Sequence, residues 1–155
     1  MPGKESAGLL MYRRRRGALE VFLAHPGGPY FARRDAGAWT IPKGERAGDE
    51  DLLATAIREF TEETGIQPAG EMIPLGSVRQ RGGKTVHAWA FSSPVHGGVS
   101  IHCNTFSIEW PPHSGQMREF PEVDRAQFFP LAAARRKINP AQGEFLDRLV
   151  EHLGP

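Results

Sequence analysis

The stretch that decides the fold of this chain runs from Gly44 to Ile66 and reads GERAGDEDLLATAIREFTEETGI. Its second part predicts a helix over residues 49–64, because apolar side chains recur there at the spacing of one helix face. Gly65 follows directly, and glycine favours the left-handed conformation in which many helices end. The residues that share the stripe are Leu53, Ala56, Ile57, Phe60 and Thr64. We therefore expect this helix to pack through that stripe against a hydrophobic core.

Three carboxylates lie on a face of the helix that adjoins this stripe. They are Glu59, Glu62 and Glu63, at positions i, i+3 and i+4. Like charges at this spacing repel one another, and Arg58, four residues before Glu62, relieves only part of the repulsion. A divalent cation relieves more, and Mg²⁺ commonly takes a few carboxylate oxygens together with substrate phosphates. The triplet alone is consistent with two interpretations, a metal site and a solvated acidic face.

Length, charge and cysteine content restrict the class of protein. With 155 residues and average composition, we expect a single compact domain over residues 1–155. The formal net charge of +1 favours neither nucleic acid nor a membrane as partner. We find no apolar run of the roughly 18 residues needed to cross a bilayer and no signal-peptide core in residues 1–8. Cys103 is the only cysteine, which excludes an internal disulfide and fits a reduced, cytoplasmic setting.

The rest of the chain predicts a sheet covered by helices. Short segments rich in β-branched and aromatic residues indicate strands over residues 7–12, 19–25, 39–41, 73–80, 84–91, 104–110 and 128–129. Helical spacing returns over residues 131–137 and 141–153. Gly82-Gly83 predicts a tight hairpin, and residues 26–37 read as a loop. This order of elements predicts an α/β fold, with a mixed sheet and helices on both faces.

The stretch from Gly44 to Ile66 also fits a fixed pattern, G-x5-E-x7-R-E-U-x-E-E-x-G-U, in which U is aliphatic or aromatic. The matching residues are Gly44, Glu50, Arg58, Glu59, Phe60, Glu62, Glu63, Gly65 and Ile66. This pattern is the Nudix box, and the chain resembles the Nudix (MutT-like) hydrolase superfamily. The lead-in AWTIPKG at residues 38–44 is common in that family, and AGLLMY at residues 7–12 and EWPPHSG at residues 109–115 resemble a compact bacterial branch. The resemblance implies a Nudix-type α/β/α sandwich.

The resemblance also implies a reaction and a set of roles. Family members hydrolyse a diphosphate linkage in a nucleotide derivative by attack of water on phosphorus, using Mg²⁺, for which Mn²⁺ substitutes. The implied metal ligands are Glu59, Glu62, Glu63 and the main-chain carbonyl of Lys43. Glu59 is alternatively the general base, with Arg58 orienting it. Glu50 is expected to form a salt bridge within the box, and Gly44 to let the loop fold close to the metal.

Residues outside the box complete the predicted site. Family members often recruit one more acidic ligand from a later loop, and we prefer Glu122 to Glu119 because it stands closer to the last strand. Glu109 is less favoured, since it lies within a predicted strand. The residues expected to bind substrate are Lys43, Arg33 and Arg34, as cations for the phosphates, and Tyr30, as a stacking partner for a nucleobase.

Three functions remain open from the sequence. The first is Mg²⁺-dependent hydrolysis of a small nucleotide derivative, such as a dinucleoside polyphosphate, a nucleoside triphosphate or a nucleotide sugar. The second is a Nudix-fold module that senses a nucleotide without cleaving it, although such members usually carry a broken box and this box is complete. The third, processing of RNA 5′ ends, rests on the basic run Arg13–Arg16, which is more typical of a solvated hairpin tip. We therefore do not expect nucleic acid or a membrane as partner.

The substrate markers of the family do not name the substrate. Arg81 stands where ADP-ribose hydrolases typically carry a proline, and Gly82, Gly83 and Lys84 stand where dinucleoside polyphosphate hydrolases often carry a tyrosine. The lead-in at residues 38–44 nevertheless places dinucleoside polyphosphates ahead of ADP-ribose. The sequence does not predict an oligomeric state.

Overall fold

The architecture is taken from a computed structural model, which describes residues 4–95, 97, 99–101 and 103–154. In chain order the elements are β1 (Glu5–Arg15), β2 (Ala18–Pro26), β3 (Lys43–Glu45), α1 (Leu52–Thr64), β4 (Ile73–Arg79), β5 (Thr85–Ser92), β6 (Thr105–Glu109), β7 (Met117–Pro121), β8 (Val123–Pro130), α2 (Leu131–Lys137), a 3-10 helix (Pro140–Gln142) and α3 (Gly143–Leu153). None of the helices in the described part of the chain has the length and apolar character needed to cross a membrane.

Six strands form one mixed sheet. Strands β4, β5, β1, β2 and β8 lie in that order, and β3 pairs with β1 beside this path. β1 and β5 run parallel, whereas the other pairs are antiparallel. A parallel pair needs a long connection between its strands, and α1 lies within that connection. The mixed sheet confirms the predicted fold class.

The sheet separates two hydrophobic cores. On one face, Phe60 of α1 packs with Leu9 and Phe22. On the other face, Phe145 of α3 packs in a cluster with Leu10. Leu9 and Leu10 are neighbours in β1 and point to opposite faces, as successive strand residues do. Helices on both faces confirm the predicted α/β/α sandwich.

The strand predicted over residues 39–41 is wrong in position. Trp39 and Thr40 form only isolated bridges, and the strand is β3, which begins after Pro42. Proline has no N–H to donate to a ladder, so regular pairing with β1 begins only beyond it. Trp39 instead places its buried ring in the core. The displacement puts Lys43 and Gly44 in the sheet, directly opposite β1.

The sequence does not predict β7. Its residues are mostly exposed, and the polar pair Arg118 and Glu119 interrupts the apolar alternation by which strands are recognised. β7 pairs with β6 in a separate two-stranded sheet, where Phe120 lies opposite Phe106. The sequence predicts only residues 128–129 of β8, because Asp124, Arg125 and Gln127 interrupt the apolar pattern in the part of the strand before them. The region before the last strand is therefore a hairpin and not a loop.

The boundaries of the central helix depend on its caps. α1 begins at Leu52 and not at residue 49, because the Asp51 side chain caps it by accepting a hydrogen bond from the Ala54 N–H at 3.1 Å. At the other end Gly65 has a φ of 74°, which confirms the predicted left-handed C-cap. The predicted hairpin at Gly82-Gly83 also joins β4 to β5, and both glycines have positive φ.

Candidate active site

A cavity of about 430 Å³ opens beside β3 and the end of α1. Its lining comes from segments far apart in the chain. Phe31 and Arg34 come from the loop of residues 27–38, which we call the cavity loop. The other polar or charged residues that line the cavity are Thr40, Lys43, Glu63, Gln80, Glu122 and Asn139. The cavity therefore brings two carboxylates of the predicted site together with two of its predicted cations.

The three carboxylates of α1 lie at different depths. Phe60 anchors the helix in the core, so the side chains next to it on the helix surface are carried inward. The side chain of Glu59 is 15% exposed and that of Glu62 is 39% exposed. Glu63 is buried, with only 9% of the residue exposed. The exposure of the three carboxylates thus falls from Glu62, which faces solvent, to Glu63, which lines the cavity, so this face of the helix is not uniformly solvated.

Arg58 links three of the box carboxylates. It donates hydrogen bonds to both carboxylate oxygens of Glu50, each at 3.0 Å, and from Nη1 to Oε1 of Glu59 at 2.9 Å. Nη1 also lies 3.4 Å from Glu62. The guanidinium lowers the pKa of Glu50 to about 2, and Glu50 in turn raises the pKa of Arg58. The predicted salt bridge of Glu50 within the box is confirmed, and Arg58 is in contact with Glu59 as expected.

Glu63 is the least satisfied of these carboxylates. Its Oε2 is buried and has no hydrogen-bond partner among the described residues. Its pKa is raised to about 8, mainly by burial and also by the nearby charges of Glu59 and Glu122, against the opposing charge of Lys43. Burial also raises the pKa of Glu59 and of Glu122. Buried acidic oxygens without partners are suited to a hard divalent cation, so these residues fit Mg²⁺.

The carboxylates do not form a closed metal cluster by themselves. Within residues 4–95, 97, 99–101 and 103–154, no three Asp, Glu, His or Cys side chains are gathered closely enough for one. One reason is that Arg58 Nη1 lies between Glu59 and Glu62 and neutralises both. A cation would therefore have to compete with Arg58 for Glu62, whereas the free oxygen of Glu63 is already available.

Lys43 occupies the other side of the cavity floor. β3 pairs with β1, so Lys43 lies opposite Gly8 and Gly44 opposite Ala7. Burial lowers the pKa of the Lys43 amine, and the charge of Lys84 lowers it further, against the attraction of Glu63. A buried ammonium group without full hydration interacts strongly with an incoming phosphate. Lys43 thus lies at the cavity beside Glu63, with its amine shielded from water.

Gly44 is required by the close approach of Glu59. A Cβ at residue 44 would lie 2.0 Å from Cδ of Glu59, which is closer than non-bonded atoms come, so the Glu59 side chain would have to move. We expect Gly44→Ala to displace that carboxylate and to lower kcat by about 10²-fold, the usual effect of a displacement of about 1 Å in a catalytic group. Gly143→Ala is the control, because a Cβ there meets nothing within 4 Å. Steady-state kinetics of the two variants test the requirement, and equal activities would contradict it.

The burial of Glu63 predicts a pH dependence of stability. Its folded pKa of about 8 lies above the unfolded value of 4.5, so the folded state binds the extra proton between these values. The stability that this proton contributes is present below the unfolded pKa and is lost as the pH rises through the folded one. In EDTA, we expect the free energy of unfolding to fall between about pH 5 and 9 more steeply for wild type than for Glu63→Gln. Urea denaturation across that range measures the difference, and parallel curves would contradict the assignment.

The structure separates the remaining predicted residues. Arg34 lines the cavity, whereas Arg33 and Tyr30 are not part of the described lining. Tyr30 is 56% exposed and packs edge-on against Trp110, with ring centroids 5.3 Å apart. Phe31, the next residue, lies in the cavity wall instead. Of the two neighbours Phe31 therefore lies at the cavity, and stacking of Tyr30 on a nucleobase stays a prediction.

The two candidates for the distal acid also differ in position. Glu122 lines the cavity, and the charge of Glu62 contributes to its raised pKa. Glu119 lies on β7 opposite Ser107 and is not part of the described lining. Gln80 and Asn139 line the cavity as well, but the sequence does not indicate them. They follow β4 and α2, and only the tertiary fold brings them together.

The fold and the site define a class of protein: an α/β/α sandwich in which a carboxylate-bearing helix borders a cavity lined by cations. A family model described as the NUDIX domain matches residues 3–149. The chain therefore belongs to the NUDIX domain family, which confirms the family predicted from residues 44–66. Membership of this family supports the predicted enzyme class, a pyrophosphohydrolase. The comparison with curated proteins finds no significant match.

Solved structures share the fold along the whole chain. An Ap4A hydrolase binary complex from C. elegans is 23% identical, with a TM-score of 0.65 and 97% of each chain covered. The NUDIX domain of Shewanella oneidensis NrtR, complexed with ADP ribose, is 15% identical, with a TM-score of 0.67 and coverage of 99% of this chain and 90% of that one. A MutT protein from Methanosarcina mazei Go1 is 21% identical, with a TM-score of 0.65 and coverage of 99% and 97%. Identities this low establish the fold and not the substrate.

Proposed function

We propose that this protein hydrolyses a diphosphate linkage in a nucleotide derivative with the help of Mg²⁺. The observation that carries the proposal is the buried carboxylate of Glu63, whose Oε2 lacks a hydrogen-bond partner among the described residues. It lines a cavity that also contains Lys43, Arg34 and Glu122. A free acidic oxygen beside fixed cations suits a ligand that brings both a metal ion and negatively charged phosphates.

Each residue of the site has a role in this proposal. The groups that would hold the metal are Glu59, Glu62, Glu63, Glu122 and the main-chain carbonyl of Lys43. When bound, Mg²⁺ would offset the negative charge of the diphosphate and make its phosphorus easier for water to attack. Glu59, held by Arg58 at 2.9 Å, serves as a ligand or as the general base that takes the proton of the attacking water. Lys43 and Arg34 steady the charge of the leaving phosphate.

The substrate class that we propose is a dinucleoside polyphosphate. Lys43 and Arg34 both line the cavity, and a long phosphate chain can contact more fixed cations than a short one. The similar C. elegans structure is of an Ap4A hydrolase, whereas the similar NrtR domain is complexed with ADP ribose. Phe31 in the cavity wall offers an aromatic surface for one base, which the missing downstream tyrosine would otherwise supply. The cytoplasmic setting stays a prediction from the single cysteine.

A nucleotide-sensing module is the second candidate. The observation that favours it is the similarity to the NrtR domain complexed with ADP ribose. The box is complete in sequence, and its residue Glu63 lines the cavity with Glu122, which favours catalysis instead. Processing of RNA ends has less support, because Arg13 of the basic run is bound to Glu20 at 2.8 Å and covers the Phe128 ring at 3.8 Å. That arginine thus has a structural role.

A substrate panel tests the proposal. With Mg²⁺ present, kcat/KM is measured for diadenosine tetraphosphate, ADP-ribose, a nucleoside triphosphate and triphosphorylated RNA. We expect diadenosine tetraphosphate to rank first. A preference of about tenfold for another compound, equal to about 1.4 kcal/mol in transition-state binding, would overturn the ranking. Nucleotide binding without turnover of any compound would favour the sensing module.

The distal acid is tested by a pair of variants. Glu122→Gln is expected to lower turnover and to raise the Mg²⁺ concentration needed for half-maximal rate, because Glu122 lines the cavity. Glu119→Gln is the matched control, since it removes a carboxylate only three residues away. A metal titration of both variants measures the effect. Equal effects would mean that the box supplies all the acidic ligands, and a larger effect at Glu119 would exchange the two assignments.

A further inference from the structure

His25 is a fully buried histidine whose two ring nitrogens each contact a polar atom. Nδ1 lies 2.7 Å from Oδ1 of Asp124, and Nε2 lies 2.6 Å from the main-chain oxygen of Arg34. A carboxylate oxygen and a carbonyl oxygen both accept hydrogen bonds, so each ring nitrogen faces an acceptor. Trp39 closes the remaining side, with its ring edge-on at 5.2 Å between centroids. The imidazole is thus a fixed link between two separate segments.

Both of those segments carry a residue of the cavity. Arg34 is one of the residues that line the cavity, and its main-chain oxygen contacts His25. Asp124 lies two residues after Glu122, which lines the cavity on the other side. A second contact lies beside this link, because the Gly27 N–H donates to the Glu122 carbonyl at 2.9 Å. His25 therefore joins the wall that carries a phosphate-binding cation to the wall that carries an acidic ligand.

The far end of the cavity loop has its own anchors. The Gly37 N–H donates to the carbonyl of Arg136 at 3.1 Å, and Asp35 accepts a hydrogen bond from Trp39 Nε1 at 2.8 Å. Asp35 also forms an ion pair with Lys137. These contacts do not involve His25, so loss of the imidazole should loosen the middle of the loop and leave its end attached. The effect of His25 on the cavity is therefore separable from its effect on the fold.

We propose that His25 is a positioning residue that fastens the cavity loop to the Glu122 segment and thereby sets the affinity for substrate. The proposal rests on the proposed hydrolase function for its kinetic part only. His25 is not part of the described cavity lining, so it acts through Arg34 and not on the reacting atoms. A loosened loop lets Arg34 leave the phosphate, which weakens binding more than it slows the chemical step.

The test combines hydrogen exchange with kinetics on His25→Gln. We expect the amides of Gly27 and Arg34 to exchange about tenfold faster in the variant, as loss of one buried hydrogen bond implies, while Gly37 keeps its protection. We expect KM to rise about tenfold with kcat within about twofold of wild type. His87→Gln is the matched control, because His87 also contacts a carboxylate, Glu5 at 3.2 Å, but is not part of the described lining. It should leave both readouts unchanged.

A second variant keeps the test decisive if His25→Gln fails to fold. Asp124→Ala removes the other partner of the ring at an exposed position, and it should change both readouts in the same direction. Unchanged exchange of Gly27 and Arg34 would overturn the proposal, as would faster exchange without a rise in KM. A fall in kcat of about tenfold with KM unchanged would also overturn it, because His25 would then act in the chemical step. If wild type turned over no diphosphate, the hydrolase function would fail, and the exchange data would still decide whether His25 holds the loop.

Discussion

Replacing Glu59 with glutamine is expected to lower kcat by about 10²- to 10⁴-fold, the range seen when a general base is lost. Glutamine keeps the shape of the side chain, but it cannot take a proton and is a poor ligand for Mg²⁺. The fold should survive, because Glu59 lies outside the Phe60 core and the change removes repulsion between Glu59 and Glu62. Steady-state kinetics and a melting curve on the same preparation measure the two effects.

The control for this prediction is Glu20→Gln. The Glu20 side chain is 16% exposed and contacts Arg13 at 2.8 Å, so it closely matches the burial and the arginine contact of Glu59. It lies on β2 and is not part of the described cavity lining. We expect Glu20→Gln to keep full turnover. Equal losses in the two variants, or a fully active Glu59→Gln, would remove Glu59 from the reaction.

Phe60→Ala, unlike Glu59→Gln, should act mainly on stability. We expect it to lower the free energy of unfolding by about 3–5 kcal/mol, as expected for truncation of a buried phenylalanine. The ring is fully buried and packs edge-on against Phe91, with centroids 5.2 Å apart. Its loss leaves a cavity between α1 and the sheet, which also loosens the helix that carries the carboxylates. Urea denaturation measures the change in the free energy of unfolding.

Phe31→Ala is the control for the stability prediction. Phe31 lies in the cavity wall and is partly exposed, so its truncation should cost less than about 1 kcal/mol. It should instead weaken substrate binding, since an aromatic surface is lost from the cavity. A stability loss for Phe60→Ala no larger than that for Phe31→Ala would show that α1 does not depend on its apolar stripe.

The sequence predicts the central helix and the contacts within it well, because both depend on local spacing. The stripe around Phe60, the Gly65 cap and the contact of Arg58 with Glu59 and Glu50 all lie within one short stretch. The depth of Glu63 is not predicted, because it depends on how β3 packs against α1. Spacing places the three carboxylates on one face, but only the tertiary fold separates the exposed one from the buried one.

The parts of the site that the sequence misses are made by long-range contacts. His25 lies in an apolar strand and reads as an ordinary core residue, since its partner Asp124 is 99 residues away in the chain. Gln80 and Asn139 both line the cavity although they are far apart in the chain, and no local sequence pattern relates them. Which of Phe31 and Tyr30 lines the cavity depends on the path of the cavity loop. The glycine and proline content of the loop predicts only that its structure is irregular.

The central claim is that the carboxylates of α1 bind a divalent cation that hydrolysis requires, and the rate of cleavage as a function of metal concentration tests it most directly. Diadenosine tetraphosphate is incubated with the protein in excess EDTA, and Mg²⁺ or Mn²⁺ is then added in steps while the products are separated and quantified. We predict no turnover in EDTA and a saturable return with either metal, at a higher metal concentration for Glu63→Gln than for wild type. Full turnover in excess EDTA would contradict the account.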